Sequence, residues 1–170
     1  MQTLAQPHTS SSNHFNHSAQ YAVEQLEERS GVAQASHLRQ ADHQFVKMLN
    51  GFRASGGLAR LQEVAELCAC HGGPDIESLT ISLGRKEIIC FEWQSHAWLP
   101  LFQFNAGDMK LCSQVQPVIS ELSCIYDPWE LAFWFSQPNA WLANRAPADA
   151  LLSEPAAVVQ AARADRFVAD

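Results

Sequence analysis

The sequence predicts a mainly α protein with a small β-hairpin: a helix-turn-helix-like N-terminal part followed by a C-terminal helical domain. Three observations carry this expectation. Apolar residues recur at steps of three and four along 32–54 and again along 58–70, the spacing of a single buried helix face. Two short runs, 88–93 and 98–104, alternate apolar with polar residues, as half-buried strands do. Finally, Asp127-Pro128-Trp129-Glu130 sets a capping acid, a proline and a second acid where a helix begins.

Composition bounds the rest. With 170 residues and 47% hydrophobic side chains the chain can fill a core, since folding at this size buries on the order of 70% of the unfolded surface. A formal charge of −7 offers no general attraction to polyphosphate, so a nucleic-acid role needs a local basic patch. The five cysteines are odd in number and lack the rhythm of a disulfide scaffold. The first lysine or arginine is Arg29, so no secretory leader is expected. No apolar run approaches the roughly 18 residues of a membrane span. A soluble protein of a reducing cytoplasm is expected.

In chain order, residues 1–19 read as a disordered tail rich in Ser, Asn and Gln, carrying His8, His14 and His17. A helix-turn-helix-like region, 20–104, follows. It holds a short helix over 21–29 stopped by Gly31, and a longer one over 32–54 with Ala35, Leu38, Ala41, Phe45, Met48, Leu49 and Phe52 on its apolar stripe. Gly56-Gly57 breaks that helix, and the next runs over 58–70. After the loop 71–75 comes a helix over 76–83, then the hairpin 88–104, its strands joined by Gln94-Ser95-His96-Ala97. This order is that of a winged helix-turn-helix, whose second helix enters the major groove. The C-terminal domain, 105–170, should hold helices over 117–126, from Pro128 to the break at Pro138-Asn139, near Pro147, and from Pro155 to about Val168.

Clusters that could carry chemistry read mostly as structure. Cys68-Ala69-Cys70-His71 has no second pair of donors, and on a helix the two thiols point about 200° apart, so a helix end is preferred to a metal site. No nucleophile motif, phosphate loop or dinucleotide fingerprint occurs, so neither catalysis nor a cofactor is expected. A cleft gathering His96, Cys112 and an acid would revive an enzyme. Asp149, Glu154 and Asp165 read as caps or solvated surface. Between Gly56 and Phe104 the charges sum to −3, and the recognition-like helix is basic only at its end. Ser78, Arg85 and Lys86 are therefore the candidate DNA contacts, a weak patch that dimerisation could double. Trp129, Phe133, Trp134, Phe135 and Trp141 crowd the C-terminal domain; Trp129, Phe133 and Trp134 cannot all face one way, so some of this aromatic surface must meet another element or a partner.

The segment from Pro138 to Leu152 resembles the toxin-binding domain of Xre/MbcA/ParS-type bacterial antitoxins. Pro138, Asn139, Leu142, Pro147, Asp149 and Leu151 match that family's Pro-Asn-x-x-Leu-x-Gly-x-x-Pro-x-Asp-x-Leu pattern in register, and 154–164 looks like its closing helix. Asn144 stands where the family has Gly, and Asn is the next best residue for a left-handed backbone. The resemblance implies a DNA-binding-like N-terminal bundle and a C-terminal domain that docks on a toxin, often one that consumes NAD. It makes Pro138, Asn139, Trp141 and Arg145 candidate partner contacts. By analogy with members whose C-terminus reaches the toxin's active site, Arg163, Arg166, Phe167 and Asp170 join them. The expected function is a non-enzymatic antitoxin-like protein, a homodimer with a toxin or other protein as partner and with transcriptional autoregulation. The alternative is a stand-alone interaction or regulatory protein that keeps the fold without toxin or DNA. If the Trp141 indole is core, Trp141→Ala should cost roughly 3–5 kcal/mol; if it serves an interface, the free protein's melting temperature should barely move.

Overall fold

The computed structural model describes residue 36 and residues 38–169. The tail 1–19 with its three histidines, the helix expected over 21–29 and the candidate contact Asp170 lie outside the described residues. The chain divides into two compact units, Met1–Asp42 and His43–Asp170. Of the first, only Ser36 and residues 38–42 are described, and they are helical. All that follows concerns the second.

The second unit is mainly helical with a small three-stranded antiparallel sheet of order β1-β3-β2. It opens within α1 (38–51), where Phe45 and Met48 are buried, as is Phe52 just after it. Gly56 and Gly57 follow with φ of 101° and 87°, a backbone that side chains resist, and they reverse the chain. The sequence assigns the next residues to a helix. Instead Leu58–Arg60 forms strand β1, paired with β3 through Leu58↔Pro100, Ala59↔Leu99 and Arg60↔Trp98. The pattern misleads because three residues fit either period, and the partner strand that decides lies some forty positions on.

Helix α2 (Leu61–His71) starts where the Glu63 carboxylate accepts the Arg60 amide at 2.7 Å. α3 (Ile76–Gly84) starts at Asp75, whose side chain accepts the Ser78 amide at 2.8 Å. The hairpin is shorter than 88–104: β2 is Phe91–Trp93 and β3 is His96–Pro100. Its turn is Gln94-Ser95 alone, both left-handed, so His96 and Ala97 belong to the strand. Beyond β3 the chain winds into a 3-10 turn, Leu101–Gln103. There the buried Gln103 side chain accepts the Ile89 amide at 2.7 Å and donates to the Ile89 carbonyl at 2.8 Å, replacing the strand partner that Ile89 lacks.

Helix α4 (Val115–Leu122) begins and ends earlier than the 117–126 expected, burying Val115, Val118, Ile119 and Leu122. α5 (Pro128–Ser136) starts with the reciprocal cap foreseen: the Glu130 amide donates to Asp127 at 2.8 Å, and the Asp127 amide to Glu130 at 2.9 Å. A 3-10 turn (Ala140–Leu142), the short α6 (Pro147–Ala150) and α7 (Pro155–Ala169) complete the chain. Two buried clusters result. The smaller joins Val64 and Cys68 of α2, Leu79 of α3 and Leu99 of β3 with Phe104 and Met109. The larger gathers α4 to α7, and Phe45, Phe52, Ile89, Phe91 and Phe102 belong to it, so it reaches across residue 104.

Candidate partner-binding site

The loop between α5 and α6 is built on Asn139. Pro138 follows Gln137, whose extended backbone ends α5. The Asn139 amide donates to the Arg145 carbonyl at 3.0 Å, and its own carbonyl accepts the amides of Leu142 and Asn144, each at 3.0 Å. Its side chain caps the 3-10 turn, Oδ1 accepting the Trp141 amide at 2.9 Å. Nδ2 donates to Asp165 Oδ2 on α7 at 3.0 Å, the oxygen that also accepts Trp134 Nε1 at 2.7 Å. Ala143 and Asn144 close the loop with φ of 54° and 60°, so the asparagine holds the left-handed position foreseen for it. The outcome is a braced loop in which Leu142 is buried and the Trp141 indole, 67% exposed, stands in solvent. Trp141 is therefore not core.

The other candidates take different roles. Arg145 pairs with Glu154 at 2.7 Å, tying this loop to the start of α7. Arg163 and Arg166 both turn to Glu121 of α4, at 2.8 and 2.6 Å. The hydrogen bond from Arg163, then the charges of both arginines, hold the Glu121 carboxyl below the usual glutamate range against the opposing effect of burial. Phe167 and Val168, at the end of α7, are 84% and 82% exposed. Asp165 is neither cap nor solvated surface: it accepts two side-chain donors from positions 26 and 31 residues away. No local signal announces it.

Trp129, Phe133 and Trp134 do share a surroundings. They span an arc of about 140° on the helix, yet all three line one cavity of about 560 Å³. Trp129 Nε1 donates to Gln44 at 3.1 Å, and its ring meets Phe91 edge-on at 5.2 Å.

The helix-turn-helix candidates are exposed but dispersed. Ser78 sits at the capped start of α3, and Arg85 lies beyond its end, 3.9 Å from Glu87. Lys86 lines a separate cavity of about 500 Å³ with Cys124 and Tyr126, which lie between α4 and α5. Cys68 is buried and Cys70 exposed, and His71 Nδ1 lies 2.9 Å from the Leu67 carbonyl. Among the described residues no group of three or more His, Cys, Asp or Glu could hold a metal ion, and no helix is long and apolar enough to cross a membrane. His96 and Cys112 line different cavities. No family model matches the chain, and no curated protein or solved structure proves similar to it.

Proposed function

We propose that this chain is a non-enzymatic, antitoxin-like protein that binds a partner protein, a toxin of the NAD-consuming class, through its C-terminal helices. The observation that carries the reading is the Trp141 indole, held in solvent by a loop whose backbone Asn139 has already ordered. Exposed aromatics on rigid supports are the anchors of protein interfaces, because little freedom is lost when they bind. Phe167 and Val168 add apolar surface just beyond Asp165, which fastens the loop to α7. The resemblance of 138–152 to the toxin-binding domain supplies the class of partner.

The test is co-expression with the product of the adjacent reading frame, read by growth rescue and co-purification. The intact chain should rescue growth, and Trp141→Ala should abolish rescue. About a third of that indole is covered, so the free protein should lose about 2 kcal/mol at most. Neither complex nor rescue by the intact chain, or rescue untouched by both Trp141→Ala and Phe167→Ser, would overturn the proposal. That result favours a stand-alone regulatory protein instead. A second reading, DNA contact through α3 with autoregulation by a homodimer, is favoured by the order α1-β1-α2-α3-β2-β3 with β1 beside β3. The charge of this region opposes it, and a gel shift at low salt decides it.

A further inference from the structure

The cavity beside α5 has a chemistry of its own. Tyr126, Trp129, Phe133 and Trp134 supply its rings, and Asp127, Glu130 and Asp165 its carboxylates. Among the described residues that line it there is no lysine, arginine or histidine. The carboxylates are only half used within the fold. Asp127 spends Oδ1 and Glu130 spends Oε2 on the α5 cap, while Asp165 spends Oδ2 on Trp134 and Asn139. Their second oxygens carry no hydrogen bond among the described residues. Asp127 and Glu130 are exposed at one side, whereas Asp165 is half-buried. Tyr126 lines the same cavity as Asp165 and Glu130, and burial, followed by the charges of those two carboxylates, pushes its phenol up.

We propose that this cavity is a binding site for an organic cation, specifically the guanidinium of an arginine side chain. Three like charges brought around one hollow repel one another, and a cation relieves that repulsion. Aromatic faces add cation–π attraction. The planar guanidinium suits the site better than an ammonium does: it stacks on a ring and forks onto a carboxylate at once, and it tolerates partial burial. About 560 Å³ is room for a long side chain and far more than an ammonium group needs. The Trp129 and Trp134 indole N–H groups are already bound to Gln44 and Asp165, which fixes how their rings are presented before any ligand arrives. The cavity shares Pro138, Asn139 and Asp165 with the support of the Trp141 loop, but its ligand is argued from its own rings and carboxylates and not from the toxin reading.

The experiment titrates the full chain, in a Trp141→Phe background that silences the exposed indole, with N-acetyl-arginine amide while tryptophan fluorescence is followed. Propylguanidine, a singly charged free guanidinium compound, separates a small-molecule source from a residue of a polypeptide. N-acetyl-citrulline amide is the neutral isostere, and N-acetyl-lysine amide and choline are the competing cations. Saturable binding of the arginine amide is expected, with citrulline about tenfold weaker or worse. Tighter binding of propylguanidine keeps the site and identifies a free guanidinium as its ligand. Asp165→Asn keeps an acceptor for Trp134 and Asn139 while removing the charge, and should weaken binding about tenfold. Glu130→Gln keeps the α5 cap and should weaken it less; it serves as the second variant if Asp165→Asn does not fold. Equal binding of citrulline, no saturable binding by any guanidinium, or preference for lysine amide or choline would overturn the proposal.

Discussion

Replacing Asp165 by alanine removes the acceptor on which the C-terminal helices converge. Its Oδ2 takes Trp134 Nε1 of α5 at 2.7 Å and Asn139 Nδ2 of the following loop at 3.0 Å, so one atom fastens α5, the Trp141 loop and α7 together. Hydrogen bonds to a charged acceptor contribute about 1.5–3 kcal/mol each. The site is half-open, so water recovers part of what both donors lose, and a net cost of about 2–4 kcal/mol follows. For a chain of this length that amounts to a fall of roughly 5–15 °C in Tm. Asn139→Ala breaks one of the two bonds and also uncaps the 3-10 turn before Trp141. Because the variants share a bond, the double variant should be milder than the sum by about 1 kcal/mol. Urea unfolding of the four proteins measures this coupling. Additivity within about 0.5 kcal/mol would refute the claim that Asn139 is held through Asp165.

Three further outcomes follow from particular contacts. The Glu121 carboxyl lies below the usual glutamate range, so its pairing with Arg163 and Arg166 stabilises the fold above that range and is lost as pH falls through the depressed value. Glu121→Gln should therefore flatten acid unfolding in that window, and an unchanged acid profile would contradict this. At Gly51, a Cβ would overlap the Ser136 carbonyl oxygen and lie 2.9 Å from Ser136 Cβ, so Gly51→Ala should cost at least about 2 kcal/mol despite its better helix propensity. A neutral or raised unfolding midpoint would show that α1 and the end of α5 can separate freely. Trp98 Nε1 is buried without a hydrogen-bond partner among the described residues, while its ring packs edge-on against Phe45 and Trp93. Trp98→Phe should thus stay within about 1 kcal/mol of the parent, whereas Trp98→Ala should lose about 3–5 kcal/mol; equal losses would mean the indole N–H matters.

Legibility followed the range of the forces. Asp127-Pro128-Trp129-Glu130 announces the start of α5 because its two capping bonds close over three residues. Pro138-Asn139, Asn144 and Pro147 likewise mark a stop, a left-handed turn and a new start, each through its own backbone preferences. The apolar stripe of α1 names Phe45, Met48 and Phe52, which are buried, and equally Leu38 and Leu49, which are exposed, because periodicity marks a face without fixing how much of it the core covers.

What the sequence by itself determined, then, was the helical class and the helix starts at Ile76, Pro128, Pro147 and Pro155, since periodicity and capping act within a turn or two. Only the tertiary structure decided that Leu58–Arg60 is a strand, that Gln103 satisfies Ile89, that Trp141 faces water and that Asp165 gathers Trp134 and Asn139. Each of those outcomes turns on a partner fourteen or more residues away or on which face the packed core leaves uncovered. Such partners leave no spacing in the sequence, because the chain between them can take any path that folding permits.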